Sequence, residues 1–161
     1  MSRRIEELLP EVQPKARAFL SLIPIAYVVT STLRTEAEQA ALYAQGRAPL
    51  EAVNARRAIA GMRLISAAEN KYEANMRKLA LGQKLKLGVD VITMADGIIH
   101  KSNHQGGRAL DVVPANASGN PIWPPGTDPR WEMIAKAGEE AGFEWGGHWD
   151  DPDRPHYEIL L

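Results

Sequence analysis

The hydrophobic period of this chain shifts at Gly88, and that shift constrains its fold more than any other feature. Before it, apolar residues recur mostly at helical steps; after it, short β-rich runs joined by turn residues prevail, with one helix near the end. In residues 2–22, Leu9, Val12, Ala16, Phe19 and Leu20 keep three- and four-residue spacing, with Pro10 and Pro14 marking a break near the front. Residues 25–30 read as a short strand. Thr35 with Glu38, and Ser66 with Glu69, form capping boxes, the first opening a helix that closes at Gly46 and the second a long helix running to Gly88. Pro49 opens a further helix through Ile59. Beyond Gly88, residues 89–94 and 98–100 flank the turn Ala95-Asp96-Gly97, residues 108–113 form another strand, and Asp128-Pro129 caps a helix that Gly142 stops. Residues 143–145 and 156–160 are the last strands. Helices first, then short strands joined by turns, predict an α+β fold with a mainly antiparallel sheet flanked by helices.

At 161 residues the chain fits one domain, 1–161, able to bury a core without staples. The absence of Cys excludes disulfide scaffolds and thiol-ligated metal sites, so any zinc must be held by His and carboxylates. A net charge of -1 argues against a surface built throughout for nucleic acid, and no nucleic-acid partner is expected. That average hides an asymmetry. Residues 49–88 hold eight basic and three acidic groups, leaving 11 basic against 17 acidic elsewhere. The basic stretch, with Arg56, Arg57, Lys78 and Lys84 in it, is a candidate contact for an anionic wall polymer or lipopolysaccharide. No apolar run approaches the ~20 residues that span a bilayer, and Glu6 and Glu7 interrupt the segment where a signal peptide needs apolar residues. The expectation is synthesis in the cytoplasm.

Three of the four histidines lie close to carboxylates in sequence, in the segments 101–111 and 146–158. A catalytic zinc takes three N or O ligands and keeps a position open. His104, in a Gly-flanked loop, Asp111 on the following strand, and His156 provide such a set. Asp153, three residues before His156, stands where a general base is needed. Solvation, capping or surface ion pairing is the commoner account of any one His–carboxylate neighbour, and spacing alone does not show that distant segments converge.

Ser102-x-His104-x-x-Gly107-x-Ala109-x-Asp111 resembles the S-x-H-x-x-G-x-A-x-D signature of the zinc peptidases that include D-Ala-D-Ala carboxypeptidases, D-Ala-D-Ala dipeptidases and the L-alanyl-D-glutamate endopeptidases used as phage endolysins. Asp153-x-x-His156-Tyr157-Glu158 is similar to the second signature of that family. Trp145-Gly146-Gly147-His148-Trp149 resembles the W-G-G-x-W of its endolysin branch, as does Ser31-x-x-Arg34-Thr35-x-x-Glu38-Gln39 followed by Leu42-Tyr43-x-Gln45-Gly46-Arg47.

The resemblance implies zinc on His104, Asp111 and His156, Asp153 as the base activating the attacking water, and Arg34 stabilising negative charge on the carbonyl oxygen. Ser102 either positions substrate or is a plain loop hydroxyl. Trp145 and Trp149 are read as packing, and His148 as a solvent-exposed side chain. The implied activity is endopeptidase cleavage of the L-Ala–D-Glu bond of the peptidoglycan stem peptide, by a monomer acting on the cell wall. Terminal D-Ala-D-Ala carboxypeptidase action and a non-catalytic wall-binding or virion module are the alternatives. One departure from the branch is a helical insertion at about residues 48–88, which bears on substrate access and not on the ligands.

Overall fold

In a computed structural model describing residues 1–160, the chain forms two compact units: residues 1–34 with 106–161, and residues 35–105. The first unit holds a four-stranded antiparallel sheet of β1 (Tyr27–Ser31), β2 (Ala109–Pro114), β3 (Glu144–Trp145) and β4 (His156–Glu158), in the order β1-β2-β4-β3. Its helices are α1 (Gln13–Leu22) and α6 (Pro129–Glu140). This is the α+β arrangement that the change of period predicts. The helix expected over residues 2–22 is shorter: a 3-10 turn at Ile5–Glu7 precedes α1, which takes Pro14 into its first turn, where a missing N–H costs no hydrogen bond.

The core of this unit lies between the sheet and its two helices. Phe19 of α1 and Tyr157 of β4, both fully buried, have ring centroids 4.6 Å apart, and Phe143 lies 5.5 Å from Phe19. The Tyr157 ring reaches α6 at Gly138, where an added Cβ would stand 2.7 Å from the ring. Asp128 caps α6 by accepting the Arg130 N–H at 3.0 Å, and its carboxylate pairs with the Arg130 guanidinium at 2.7 Å. That pairing holds the Asp128 carboxyl down at about 2.

The second unit carries α2 (Glu36–Ala44), α3 (Leu50–Ile59), α4 (Ala67–Asn70) and α5 (Tyr72–Ala80). Both capping boxes form as the residues predict. The long helix expected from Ser66 to Gly88 does not. Asn70 is buried and bridges the preceding loop, accepting the Gly46 N–H and donating to the Ala48 carbonyl, both at 2.9 Å. Lys71 then takes a left-handed conformation (φ 57°), and a new helix starts at Tyr72. Asn75 ties α5 to the Gly46 and Asp90 carbonyls, and Gly82 (φ 72°) ends it. This interior mixes buried polar side chains, Gln39, Asn70 and Asn75 among them, with apolar ones such as Leu42, Val53, Ile65 and Val91.

The two strands expected at 89–94 and 98–100 are absent as well. Asp96 Oδ1 accepts the N–H groups of Ile98, Ile99 and His100, and Asp90 accepts the Lys86 N–H, so local side-chain bonds satisfy donors that a ladder would need. Much of the basic excess is also used inside the unit. Arg57 is buried against the Arg63 carbonyl and Gln45, Arg63 pairs with Glu69, and Lys78 pairs with Asp90. Arg57 and Lys78 are therefore not free carriers of the anionic contact expected of them. No helix among the described residues is long and apolar enough to cross a membrane.

Two measurements check this packing. Gly138→Ala should lower stability by about 1–3 kcal/mol through overpacking against Tyr157, although alanine is the better helix former by about 1 kcal/mol; a raised melting temperature would refute the contact. Because the Asp128 carboxyl is depressed in the folded state, its contribution is present above the ordinary carboxylate range and is lost as pH falls from about 4 toward about 2. Asp128→Asn should show a smaller loss of melting temperature over that interval than the parent protein.

Candidate metal centre

Strand register in the first unit positions Asp111 and His156. Asp111 lies opposite His156 in the β2–β4 pair, and Ser31 lies opposite Asp111 across β1–β2. His156 and Glu158 share one face of β4 while Tyr157 points into the core, as a period of two requires. His104 precedes β2 in a tight turn: the Gln105 N–H donates to the Ser102 carbonyl at 2.9 Å, and the His104 N–H donates to Ser102 Oγ at 3.3 Å. Gly107 follows at φ 65°, with Leu9 N donating to its carbonyl at 3.0 Å; a Cβ there would sit 3.1 Å from that nitrogen.

His104, Asp111 and His156 each offer a ligand atom, and these atoms lie within 4.8 Å of one another. Both imidazoles are buried, His104 at 1% and His156 at 6% exposure. His156 Nδ1 faces Asp111 Oδ1 at 3.4 Å, while Nε2 meets Glu158 Oε2 at 2.7 Å. Asp111 Oδ2 accepts from Arg34 Nη2 at 2.7 Å, and Arg34 Nε donates to Ser31 Oγ at 3.3 Å. Two buried imidazoles and a carboxylate at this separation fit a zinc ion, whose N and O ligands stand about 2.0–2.2 Å from it. The spacing of Ser31 and Arg34 thus has a structural cause, since the serine hydroxyl steers the guanidinium onto Asp111.

Asp153 is joined to the same region by its backbone. Its N–H donates to the Gly146 carbonyl at 2.9 Å, and its carbonyl accepts the His156 N–H at 3.1 Å. Burial, and then the like charge of Asp111, raise its carboxyl to about 6, with His156 and Arg34 opposing. Burial works against a charge on His156, but Asp111 and Glu158 overcome it and raise that imidazole to about 9. A site that places carboxylates around a buried imidazole in this way favours a cation.

The Trp145-Gly146-Gly147-His148-Trp149 block is a steric unit. A Cβ on Gly146 would lie 2.6 Å from the Asp153 carbonyl, and one on Gly147 would strike the Trp145 ring. Trp145 is buried, with Nε1 donating to the Arg154 carbonyl at 2.7 Å. The Trp149 ring lies 5.1 Å from the His156 ring, closer to the centre than a packing role elsewhere would place it. His148 is exposed and pairs with Glu139 at 2.8 Å, away from the cluster. Ser102 acts on the His104 backbone. Glu158 lies in the second signature without a role assigned from sequence; its position two after His156 on a strand was the available signal, because alternate residues share a face.

Residues 97–159 match the family described as D-alanyl-D-alanine carboxypeptidase. The fold is similar to that in the crystal structure of Serratia marcescens L-Ala D-Glu endopeptidase ChiX, with a TM-score of 0.51 and 19% identity over 97% of this chain and 83% of that chain. The family match covers residues 97–159, less than half of the chain, and the likeness to the endopeptidase is one of fold.

Proposed function

We propose that this protein is a zinc-dependent peptidoglycan endopeptidase that hydrolyses the L-Ala–D-Glu bond of the stem peptide, in the manner of a phage endolysin. The observation that carries the metallopeptidase reading is the convergence of His104, Asp111 and His156, with Asp153 joined to His156 and Arg34 on Asp111. The endopeptidase reading is supported by the fold likeness over nearly the whole chain and by the Arg34 and Trp145–Trp149 motifs. Terminal D-Ala-D-Ala cleavage, to which the family description points, is the second reading.

His104, Asp111 and His156 would hold zinc, which would supply Lewis acidity toward the scissile carbonyl and the attacking water. The chain's own groups supply the rest. Asp153, its carboxyl held back from ionising by burial, would take a proton from the attacking water and return it to the leaving amine. Arg34 pairs with Asp111 beside the cluster, where its positive charge would stabilise the oxygen on which negative charge develops. Glu158 accepts the Nε2 proton of His156, leaving Nδ1 as the ligand nitrogen. Trp149 walls one side of His156 and limits solvent there.

Digestion of purified cell walls should free amino termini on glutamate, with Asp153→Asn lowering the rate by about 10²–10⁴-fold while zinc remains bound. Release of D-Ala alone would select the carboxypeptidase reading, and undiminished activity in the variant would remove Asp153 from the mechanism. Glu158→Gln should weaken zinc affinity by about 10–100-fold in a chelator competition. Unchanged affinity would leave Glu158 without a role at the metal.

A further inference from the structure

The face of the sheet that carries His156 and Glu158 bears a further carboxylate, to which the proposed hydrolysis gives no task. Glu144 of β3 lies directly opposite Glu158 of β4, and directly opposed residues project from the same face. Two carboxylates in that relation repel unless each is otherwise engaged. Glu158 meets His156 Nε2 at 2.7 Å. Glu144, exposed on the edge strand, accepts the indole N–H of Trp149 at 3.1 Å.

The backbone between Glu144 and Trp149 turns back on itself, which lets the two side chains meet. Gly146–His148 form a 3-10 turn, and the Trp149 N–H donates to the Gly146 carbonyl at 3.3 Å. Within the turn His148 takes a different partner, Glu139 at 2.8 Å, and sets its ring edge-on to the buried Trp145 at 4.9 Å. Trp149 is thus the aromatic side chain of this block that reaches a metal-ligand candidate.

Trp149 is half-buried, and its ring centroid lies 5.1 Å from that of the buried His156 at a tilt of 47°, within the range over which aromatic rings touch. An indole turns about two side-chain torsions, so anchoring its polar edge fixes where the ring lies. The bond to the Glu144 carboxylate is charge-assisted, hence stronger than a neutral one, and supplies that anchor. Apolar cover around a ligand governs how readily water reaches the metal it holds.

We propose that Glu144 is a positioning residue for the metal centre: by holding the Trp149 indole N–H it keeps that ring against His156, shields the imidazole from water and slows the loss of zinc. The role rests on the reading of His104, Asp111 and His156 as zinc ligands. It differs from that of Glu158, which touches the ligand itself. Glu144 acts only through Trp149, so its removal has no further effect once the indole N–H is gone.

Zinc transfer from the loaded full chain to excess chelator, followed in time, tests it. Glu144→Ala should speed release about three- to tenfold, as expected for the loss of one hydrogen bond at a partly exposed site. Glu144→Gln keeps an oxygen that accepts the indole N–H and should stay within about twofold of the parent. Trp149→Phe should release zinc at least as fast as Glu144→Ala, and combining the two should add nothing. Proton NMR of the metal-free protein gives a readout that needs no zinc: the indole N–H signal missing from Trp149→Phe should move in Glu144→Ala and return toward its parent position in Glu144→Gln. Unchanged release or an unmoved indole signal in Glu144→Ala overturns the proposal, as does faster release that Glu144→Gln fails to restore or that adds to Trp149→Phe. A parent protein that takes up no zinc removes the metal reading itself, and this role with it.

Discussion

The pairing of β2 with β4 is the constraint on which the rest of the first unit depends. Its register sets Asp111 opposite His156, and a slip of one residue would turn His156 into the core and bring Tyr157 to the metal-facing side. What prevents that slip is packing on the other face. Tyr157 is fully buried against Phe19, and its ring occupies the space left by Gly138 on α6. The hydrophobic core therefore aims the site: the contact that buries Tyr157 is the one that presents His156 and Glu158 together. Asp111, at the centre of β2, is held from both neighbouring strands, through Arg34 and Ser31 on one side and His156 on the other.

Electrostatics then decide what such an arrangement can hold. Asp111, Asp153 and Glu158 surround His156, with Arg34 as the other fixed cation. Their mutual repulsion is costly in a partly buried setting unless positive charge lies among them. In the structure His156 provides it, raised to about 9. Zinc in the same place would replace that proton by a stronger local charge and would couple metal binding to proton release. The lack of Cys fits this chemistry, because it leaves imidazole and carboxylate as the available ligand types.

The parts of this molecule that were legible in the sequence are those written in local chemistry. Thr35 with Glu38 and Ser66 with Glu69 form their capping boxes, and Asp128-Pro129 opens α6. The His104, Asp111 and His156 set was recognisable as motif spacing, although only the strand register explains why the three come together. Residues 66–100 were misread because long-range side-chain bonds override local pattern there. Asn70 must reach Gly46 and Ala48, which breaks a helix whose periodicity continues to Gly88, and Asp96 captures three backbone donors in what alternation presents as a hairpin. Asparagine and aspartate carry little periodic signal, so a segment organised by them is poorly described by hydrophobic pattern.

The central claim is that His104, Asp111 and His156 together bind one zinc ion. Zinc K-edge X-ray absorption on the loaded protein, with metal content measured on the same sample, tests it most directly. The account predicts one zinc per chain and a first shell of two imidazole nitrogens at about 2.0–2.1 Å completed by oxygen. A shell with three or more imidazoles, or a zinc content that is unchanged when Asp111→Ala and His156→Ala are combined, would contradict it.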